Sequence, residues 1–185
     1  MKLSLLLATI VSCTFASQSR AQETPDLITP KPEHAQMARE VGVWDAESTM
    51  WMTPDAEAVT SKGVETVTMM GKFWLVGEFV GDMMGEEFRG RSQMTFDPIT
   101  KKYVGTWIDT MAPVILTMTG DYDASTHTLT MMMNGIDPMT GQPSQWKTIT
   151  HYVDANTKTF EKHSATPGEP GKWWKTLEIK YAKRK

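Results

Sequence analysis

An all-β fold is predicted by this sequence: an antiparallel up-and-down β-barrel of about ten strands, with one short helix before it. The first observation is a tetrad of the form Asp-x-x-Thr, which occurs at residues 97–100, 123–126, 137–140 and 154–157. The carboxylate of such an Asp accepts hydrogen bonds from amides one or two residues later, and the Thr leads into the next strand. The four tetrads therefore predict consecutive hairpin turns in the second half of the chain.

The second observation is the alternation of apolar and polar residues. In segment 86–97, Phe88 and Phe96 share one side of a strand, while Arg89 and Arg91 share the other. Successive side chains of a strand point to opposite faces, so this pattern predicts one face towards a core and one towards solvent. A long meander of such strands has two unpaired edges if it stays open, and closure into a barrel removes them.

The first residues are typical of a secretory signal. An almost uncharged stretch covers 3–16, and Ser19-Arg20-Ala21 places small residues three and one positions before a cleavage site at Gln22. We therefore predict a signal peptide over 1–21 and an exported protein, either periplasmic or secreted. The alternative is a lipoprotein signal, which would leave a lipid anchor on Cys13. That residue is the only cysteine, so no disulfide is expected.

The next segments predict a leader and the helix. Residues 22–32 hold three prolines among polar residues and predict an extended leader. Segment 33–41 predicts the helix, because Pro32 suits the first helical position and apolar residues four positions apart share one face. Gly42 is expected to end it. Residues 33–185 are predicted to form a single β-barrel domain.

The predicted strands are separated by turn residues, chiefly glycines and the Asp tetrads. Their connections are short, so neighbouring strands are expected to pair in chain order. The expected ranges are 43–52, 63–71, 73–82, 86–97, 101–112, 114–122, 127–134, 145–153, 158–166 and 173–183.

Composition limits the partners that we expect. The chain has 185 residues, 40% of them hydrophobic, and a formal net charge of −3. A chain of this length suits one domain with its own core. The acidic balance argues against a nucleic-acid partner, because phosphate binding requires a basic surface. The apolar stretch at the N-terminus is too short for a transmembrane segment. The oligomeric state is not predicted.

The tripeptide Gly42-Val43-Trp44 lies directly after the predicted helix and begins the first strand. It resembles the Gly-x-Trp signature of calycin barrels such as lipocalins and fatty-acid-binding proteins. In those proteins the Trp closes one end of the barrel, and a basic side chain from the end of the domain often covers it. The resemblance implies an architectural role for Trp44, with Lys183 or Arg184 as the covering side chain.

Longer motifs are spread over the chain from about residue 31 to 183. They are Pro32-Glu33-His34, Val41-Gly42-Val43-Trp44, Phe96-Asp97, Lys102 to Met111, Asp137-Pro138 and Thr140-Gly141. Together they resemble the pattern of the bacterial domain-of-unknown-function family 1579. The resemblance implies a calycin-like, lipocalin-like β-barrel and implies no activity.

The barrel wall between the first two tetrads is where we expect a ligand. In 101–112 both strand faces are partly apolar, and we place the aromatic face inward. A barrel lined by aromatic and methionine side chains suits a small apolar or amphipathic molecule that is bound without chemistry. The expected ligand-binding residues are Trp107, Met111, Tyr103 and Met94, with Asp109 or Arg91 as a polar anchor.

Two other functions stay open at this point. An enzyme acting on a small substrate in the same cavity would use Asp109, a carboxylate among apolar neighbours, as its acid or base. A structural or interaction module of the cell envelope would instead have a barrel filled with its own side chains.

No metal or cofactor is predicted. The chain has 15 methionines, and thioethers in an exported protein suggest Cu(I). In the triplet Met131–Met133, however, neighbouring side chains point to opposite faces, so a core role is favoured over copper. Haem would need an axial ligand, for which His151 and His163 are the candidates. No local cluster of His, Asp and Glu indicates a zinc site.

Overall fold

The structure is a computed structural model that describes residues 26–185 except Met84, Pro167 and Pro170. The predicted signal peptide, Cys13 and the first part of the leader lie outside the described residues, so export and lipid attachment stay predictions. Residues 26–31 of the leader form neither helix nor strand.

Ten antiparallel strands follow one α-helix in the described chain and close into a barrel, which confirms the predicted all-β fold. Each strand pairs with its neighbours in chain order, and the last strand closes onto the first. The elements are α1 (Pro32–Met37), β1 (Gly42–Met50), β2 (Val59–Met70), β3 (Trp74–Met83), β4 (Glu86–Asp97), β5 (Lys102–Asp109), β6 (Leu116–Asp123), β7 (Thr128–Ile136), β8 (Pro143–Tyr152), β9 (Thr157–Ala165) and β10 (Trp173–Lys183).

The helix is shorter than the predicted segment 33–41. It ends at Met37, and a 3₁₀ turn over Ala38–Glu40 leads into β1. The carbonyl of Glu40 accepts a hydrogen bond from Nε1 of Trp44 at 2.8 Å. A carbonyl near a helix end needs such a partner once the helical ladder stops. The contact with Trp44 thus stabilises the point at which the chain enters β1, although a longer helix was predicted there.

All four Asp tetrads form turns, as predicted. In each one, Oδ1 of the Asp accepts a hydrogen bond from the backbone amide two residues later, at 2.7–2.9 Å. The tetrads of Asp97, Asp123 and Asp154 lie at the same end of the barrel as α1, and that of Asp137 lies at the opposite end. The four carboxylates are therefore part of the turn architecture.

The predicted strand faces are also confirmed. In β4, Phe88 and Phe96 are buried while Arg89 is exposed. The aromatic face of β5 points inward, since Tyr103 is buried and Ile108 is exposed. The methionine triplet of β7 is divided between the two faces: Met131 and Met133 lie in the core and Met132 faces outward.

The two ends of the barrel differ in the elements that cover them. The helix-capped end lies beneath α1 and carries the loops that precede β3, β5, β7 and β9; the far end carries the loops that precede β2, β4, β6, β8 and β10. The larger core cluster is centred towards the helix-capped end and includes Trp44, Val67, Leu75, Tyr103, Leu129, Tyr152 and Tyr181. A second cluster, of Leu116, Met133 and Trp146, lies towards the far end.

Candidate functional site

A buried ionic cluster closes the helix-capped end. Nζ of Lys158 lies 2.8 Å from Oε2 of Glu40 and 3.0 Å from Oε2 of Glu65. The hydroxyl of Tyr152 donates a hydrogen bond to Oε1 of Glu40 at 2.5 Å. Strand β9 places Lys158 between Tyr152 of β8 and Tyr181 of β10, and its side chain is only 5% exposed. The 3₁₀ turn after the helix is thus tied to the barrel interior through Lys158 and Tyr152.

The pKa values in this cluster follow from burial and from the partners. Burial alone would lower the pKa of Lys158, but the two carboxylates outweigh it and raise that pKa to about 12. Burial opposes ionisation of Glu40, yet Lys158 and Tyr152 hold its pKa below the usual value. For Glu65, burial dominates and raises the pKa. Glu40, which lies at the shorter distance from Lys158 and also contacts Tyr152, is therefore the main partner of the lysine.

Trp44 lies inside this closure and is 2% exposed. The Nζ atoms of Lys158 and Lys183 lie 4.8 and 5.0 Å from the centre of its ring, and Nζ of Lys183 also donates to the carbonyl of Arg39 at 3.1 Å. Arg184 instead pairs with the exposed Asp45 at 2.6 Å. Of the two predicted covering side chains, Lys183 covers Trp44 and Arg184 does not.

The helix-capped end leaves little space. A cavity of about 10 Å³ lies beneath the helix and has Met94, Tyr103 and Tyr152 in its wall. This volume accommodates about one water molecule. The hydroxyl of Tyr103 donates to Oε1 of Gln36 at 3.2 Å, and burial raises the pKa of Tyr103 to about 12. Two predicted ligand-binding residues, Tyr103 and Met94, therefore line a nearly filled space.

At the far end, Trp107 and Asp109 form a unit on β5. Oδ2 of Asp109 accepts a hydrogen bond from Nε1 of Trp107 at 2.8 Å, and Oδ1 accepts one from the amide of Met111 at 2.9 Å. The indole lies against Gly90 of β4, where a Cβ atom would collide with it. It also stacks on Phe88, with ring centres 6.4 Å apart. The carboxylate thus fixes the indole against the inner wall.

The second inward lysine of β9, Lys162, also lies towards the far end. Pairing places it between Thr148 of β8 and Leu177 of β10, and its Nζ lies 4.8 Å from the centre of the Trp146 ring. Every described carboxylate is more than 4.0 Å from that atom. Burial lowers the pKa of Lys162, and the more distant Asp109 and Asp137 oppose this shift only in part.

An open groove of about 720 Å³ runs along the rim of the far end. Its walls come from the loop before β6 and from the facing ends of β7 and β8. Ile115 and Ile136 in this groove are exposed, at 64% and 41%. The groove thus adds apolar surface at the far end, outside the barrel wall.

The structure divides the six predicted ligand-binding residues. Trp107 and Asp109 face the interior at the far end, whereas Tyr103 and Met94 line the small cavity at the helix-capped end. Met111 lies on the loop after β5 and is 61% exposed. Arg91 lies on the outer face of β4, where it is 3.7 Å from Glu78. Because side chains alternate along β4, Arg91 cannot anchor a ligand inside the barrel.

Four charged residues inside the barrel were not predicted from the sequence: Glu40, Glu65, Lys158 and Lys162. A signal for the lysines exists, because Lys158 and Lys162 share one strand face with Phe160. The outer face of the same strand also carries polar side chains, at Glu161 and His163, so alternation alone does not identify the inner face. The partners in the cluster come from β2 and the 3₁₀ turn, far away in the chain.

The structure also shows where the potential metal and haem ligands lie. Among the described residues, no group of three or more His, Cys, Asp or Glu side chains is placed to hold a metal ion. His151 and His163, the two candidates for an axial haem ligand, lie on the outer face of β8 and β9. His163 contacts Glu161 at 2.9 Å. In the described part of the chain, no helix is long and apolar enough to cross a membrane.

Comparison with solved structures shows similarity in fold. The crystal structure of Rv2717c from M. tuberculosis superposes with a TM-score of 0.64 at 9% identity, covering 85% of this chain and 100% of that one. The S-type phycobiliprotein lyase CPES from Guillardia theta gives a TM-score of 0.54 at 11% identity, covering 83% and 93%. No curated protein sequence matches the chain.

Comparison with protein families gives a match over the whole barrel. The family described as "Protein of unknown function (DUF1579)" matches residues 29–183, a span that includes α1 and all ten strands of the barrel. The motifs noted in the sequence fall within that range. The chain therefore belongs to the DUF1579 family.

Proposed function

We propose that the protein binds a small apolar or amphipathic molecule inside the far end of its barrel, without chemical conversion. The observation that supports this proposal is a group of large inward side chains towards the far end that are not fully buried. At the helix-capped end, large inward side chains such as Trp44 and Tyr103 are almost fully buried. Towards the far end, inward Phe79, Trp107 and Leu177 stay partly exposed.

Partly exposed aromatic side chains on an inner wall are unfavourable in water unless something covers them. Burial of apolar surface stabilises by roughly 25 cal/mol per Å². At the helix-capped end, α1 provides this cover. No helix of the described chain lies over the far end. A ligand with apolar surface would provide the corresponding burial there, and barrel mouths are common ligand sites.

The contacts of Asp109 favour binding over catalysis. Both of its oxygens accept hydrogen bonds from the protein itself, one from the Trp107 indole and one from the Met111 amide. These contacts suit a residue that fixes Trp107 and the loop after β5. The similarity with the phycobiliprotein lyase concerns the fold alone, at 11% identity, and carries no part of the proposal.

The proposal is tested by filling the far end. Ser164 faces the interior beside Trp146, whereas the next residue, Ala165, is exposed on the outer face. The variants Ser164→Phe and Ala165→Phe therefore add the same side chain inside and outside the barrel. Native mass spectrometry of the purified protein would report a retained molecule, and tryptophan fluorescence would follow titration with apolar compounds that include the neutral dye Nile red.

We expect the wild type and Ala165→Phe to bind members of the panel, and Ser164→Phe to bind them at least tenfold more weakly. Circular dichroism would verify that both variants are folded. Equal binding by the two variants would place the ligand elsewhere and overturn the proposal. Absence of any binding by the folded wild type would overturn it as well.

A further inference from the structure

We infer that the ligand of the far end carries a single negative charge, a carboxylate on an apolar body, and that Lys162 on the face of Trp146 binds it. This inference rests on the proposed function and specifies the chemistry of the ligand. The amine of Lys162, inside the barrel, has surroundings that differ from those of the paired cations Lys158, Lys175 and Arg184.

The position of Lys162 suits an anion at the end of an apolar molecule. Its Nζ lies 4.8 Å from the centre of the Trp146 ring, which belongs to the same apolar cluster as Leu116 and Met133. Trp107 packs against that cluster from β5. An ammonium group among these side chains is partly removed from water, and a carboxylate in contact with it would form a charge-assisted hydrogen bond.

The two acidic residues whose charges act on Lys162 are engaged elsewhere. Asp109 accepts hydrogen bonds from Trp107 and Met111, and Asp137 accepts one from the amide of Met139 in its turn. Neither carboxylate reaches Lys162 within 4.0 Å. The described chain therefore leaves the charge of this lysine without an anion in direct contact.

The number of charges follows from the cations available. Lys175, a nearby cation on β10, is engaged by Glu178 and by Glu161, the latter at 3.1 Å. One uncompensated amine matches one negative charge, as on a fatty acid. A phosphate group carries more charge and usually requires several donors or an Arg fork. These observations favour a monocarboxylate.

The experiment compares two molecules of equal length, decanoate and decanol, by isothermal titration calorimetry at neutral pH. The variants are Lys162→Met, Lys162→Arg and the control Lys147→Met. Lys147 also lies over an indole, 5.4 Å from the centre of the Trp173 ring, but on the outer face of the barrel. The control thus removes a comparable contact between lysine and tryptophan from outside.

We expect the wild type and Lys147→Met to bind decanoate about 10- to 100-fold more tightly than decanol. Lys162→Met should bind both molecules with the affinity that the wild type has for decanol, and Lys162→Arg should retain a preference for decanoate. Thermal unfolding would verify that each variant is folded, and Lys162→Arg keeps the charge if Lys162→Met does not fold.

The outcomes separate this inference from the proposed function. If the wild type binds both molecules equally and Lys162→Met changes neither affinity, the inference is wrong while binding at the far end stands. If Lys147→Met loses the preference and Lys162→Met keeps it, the anion site lies outside the barrel and the inference is also wrong. If the folded wild type binds neither molecule nor any compound of the apolar panel, both proposals fail.

Discussion

Lys158 and Lys162 lie on the same inward face of β9, separated by four positions, and their environments are opposite. Lys158 contacts Glu40 and Glu65 beneath the helix, and these carboxylates raise its pKa to about 12. Lys162 lies over Trp146, without a described carboxylate within 4.0 Å, and burial lowers its pKa. A lysine on this strand thus forms ion pairs at the helix-capped end, and a second lysine on the same strand has no contacting carboxylate of the described chain towards the far end.

The two lysines differ in whether the fold itself supplies an anion for the buried charge. A buried charge is tolerated when its partners are fixed in the fold, as they are at the helix-capped end. A half-buried charge whose partner is absent from the fold costs free energy, and a ligand that supplies the partner removes this cost. If the two ends differ in this way, variants of the two lysines should respond differently to unfolding and to pH.

The largest difference is expected between Lys158→Met and Lys162→Met. Removal of Lys158 leaves two carboxylates buried close together, which should cost roughly 3–5 kcal/mol of unfolding free energy. Removal of Lys162 takes away a charge without a contacting carboxylate in the described chain, so stability should change by less than about 1 kcal/mol or increase. Urea unfolding at pH 7, followed by tryptophan fluorescence, measures both. Equal losses would show that the two lysines have the same role.

The next effect concerns the two acidic partners of Lys158. Glu40→Gln should cost roughly 2–3 kcal/mol, because it weakens charge-assisted hydrogen bonds from Lys158 and Tyr152. Glu65→Gln should cost less than about 1 kcal/mol, because burial already raises the pKa of Glu65 and favours a neutral group there. The same urea experiment gives the order. A larger loss for Glu65→Gln would contradict the assignment of Glu40 as the main partner.

Alkaline pH should separate the two lysines through the sign of their pKa shifts. Lys158 changes from an ordinary pKa of 10.5 to about 12, and burial and Glu40 raise the pKa of Tyr152 well above 10.0. Their stabilisation is therefore complete at lower pH and is lost as the pH rises through the folded-state pKa values. The lowered pKa of Lys162 acts in the opposite sense, since its destabilisation below the folded-state pKa is relieved as the pH rises to 10.5.

We therefore expect the unfolding free energy of the wild type to fall between about pH 10 and pH 12. Lys158→Met should show a smaller decrease, and Lys162→Met a steeper one, than the wild type. Urea unfolding at intervals from pH 8 to 12 provides the measurement. A curve that stays flat to pH 12 would contradict the strong coupling of Lys158 to its carboxylates.

The smallest effect is expected for Asp109→Asn. The amide has one acceptor oxygen where the carboxylate has two, so one of the contacts with Trp107 and the Met111 amide is lost. The expected cost is about 1 kcal/mol, with an altered emission spectrum of the tryptophans. Asp45→Asn, which breaks an exposed pair with Arg184, is the control and should change stability by less than about 0.5 kcal/mol. Equal effects would show that Asp109 is no more important than a surface acid.

Much of the fold was predictable because its signals are local. The Asp tetrads specify turns through hydrogen bonds within four residues, and alternation specifies which side chains of β4 face inward. The helix boundary was less predictable, because the 3₁₀ turn over Ala38–Glu40 depends on a contact with Trp44 in β1. Interactions across element boundaries leave no periodic pattern in the sequence.

The candidate site was predictable only in part, for a related reason. Trp107 and Asp109 were predicted to share the inner face of one strand, and they do. Tyr103 and Met94 share inner faces as well, but the helix fills the space around them. Strand alternation specifies the face of a residue, and it contains no information about what covers each end of the barrel. The difference between an end filled by side chains and an end with partly exposed inward side chains could therefore not be predicted from the sequence.

By itself, the sequence determined the hairpins, their order and the inner and outer faces of the strands, since these depend on turn chemistry and on a period of two residues. Only the tertiary structure decided which inward charge is neutralised. Glu40 and Glu65 lie 118 and 93 residues away from Lys158 in the chain, and closure of the barrel brings all three together. Lys162 lies four positions further along β9. It is beyond the reach of both carboxylates, because successive side chains on one face of a strand are about 6.6 Å apart.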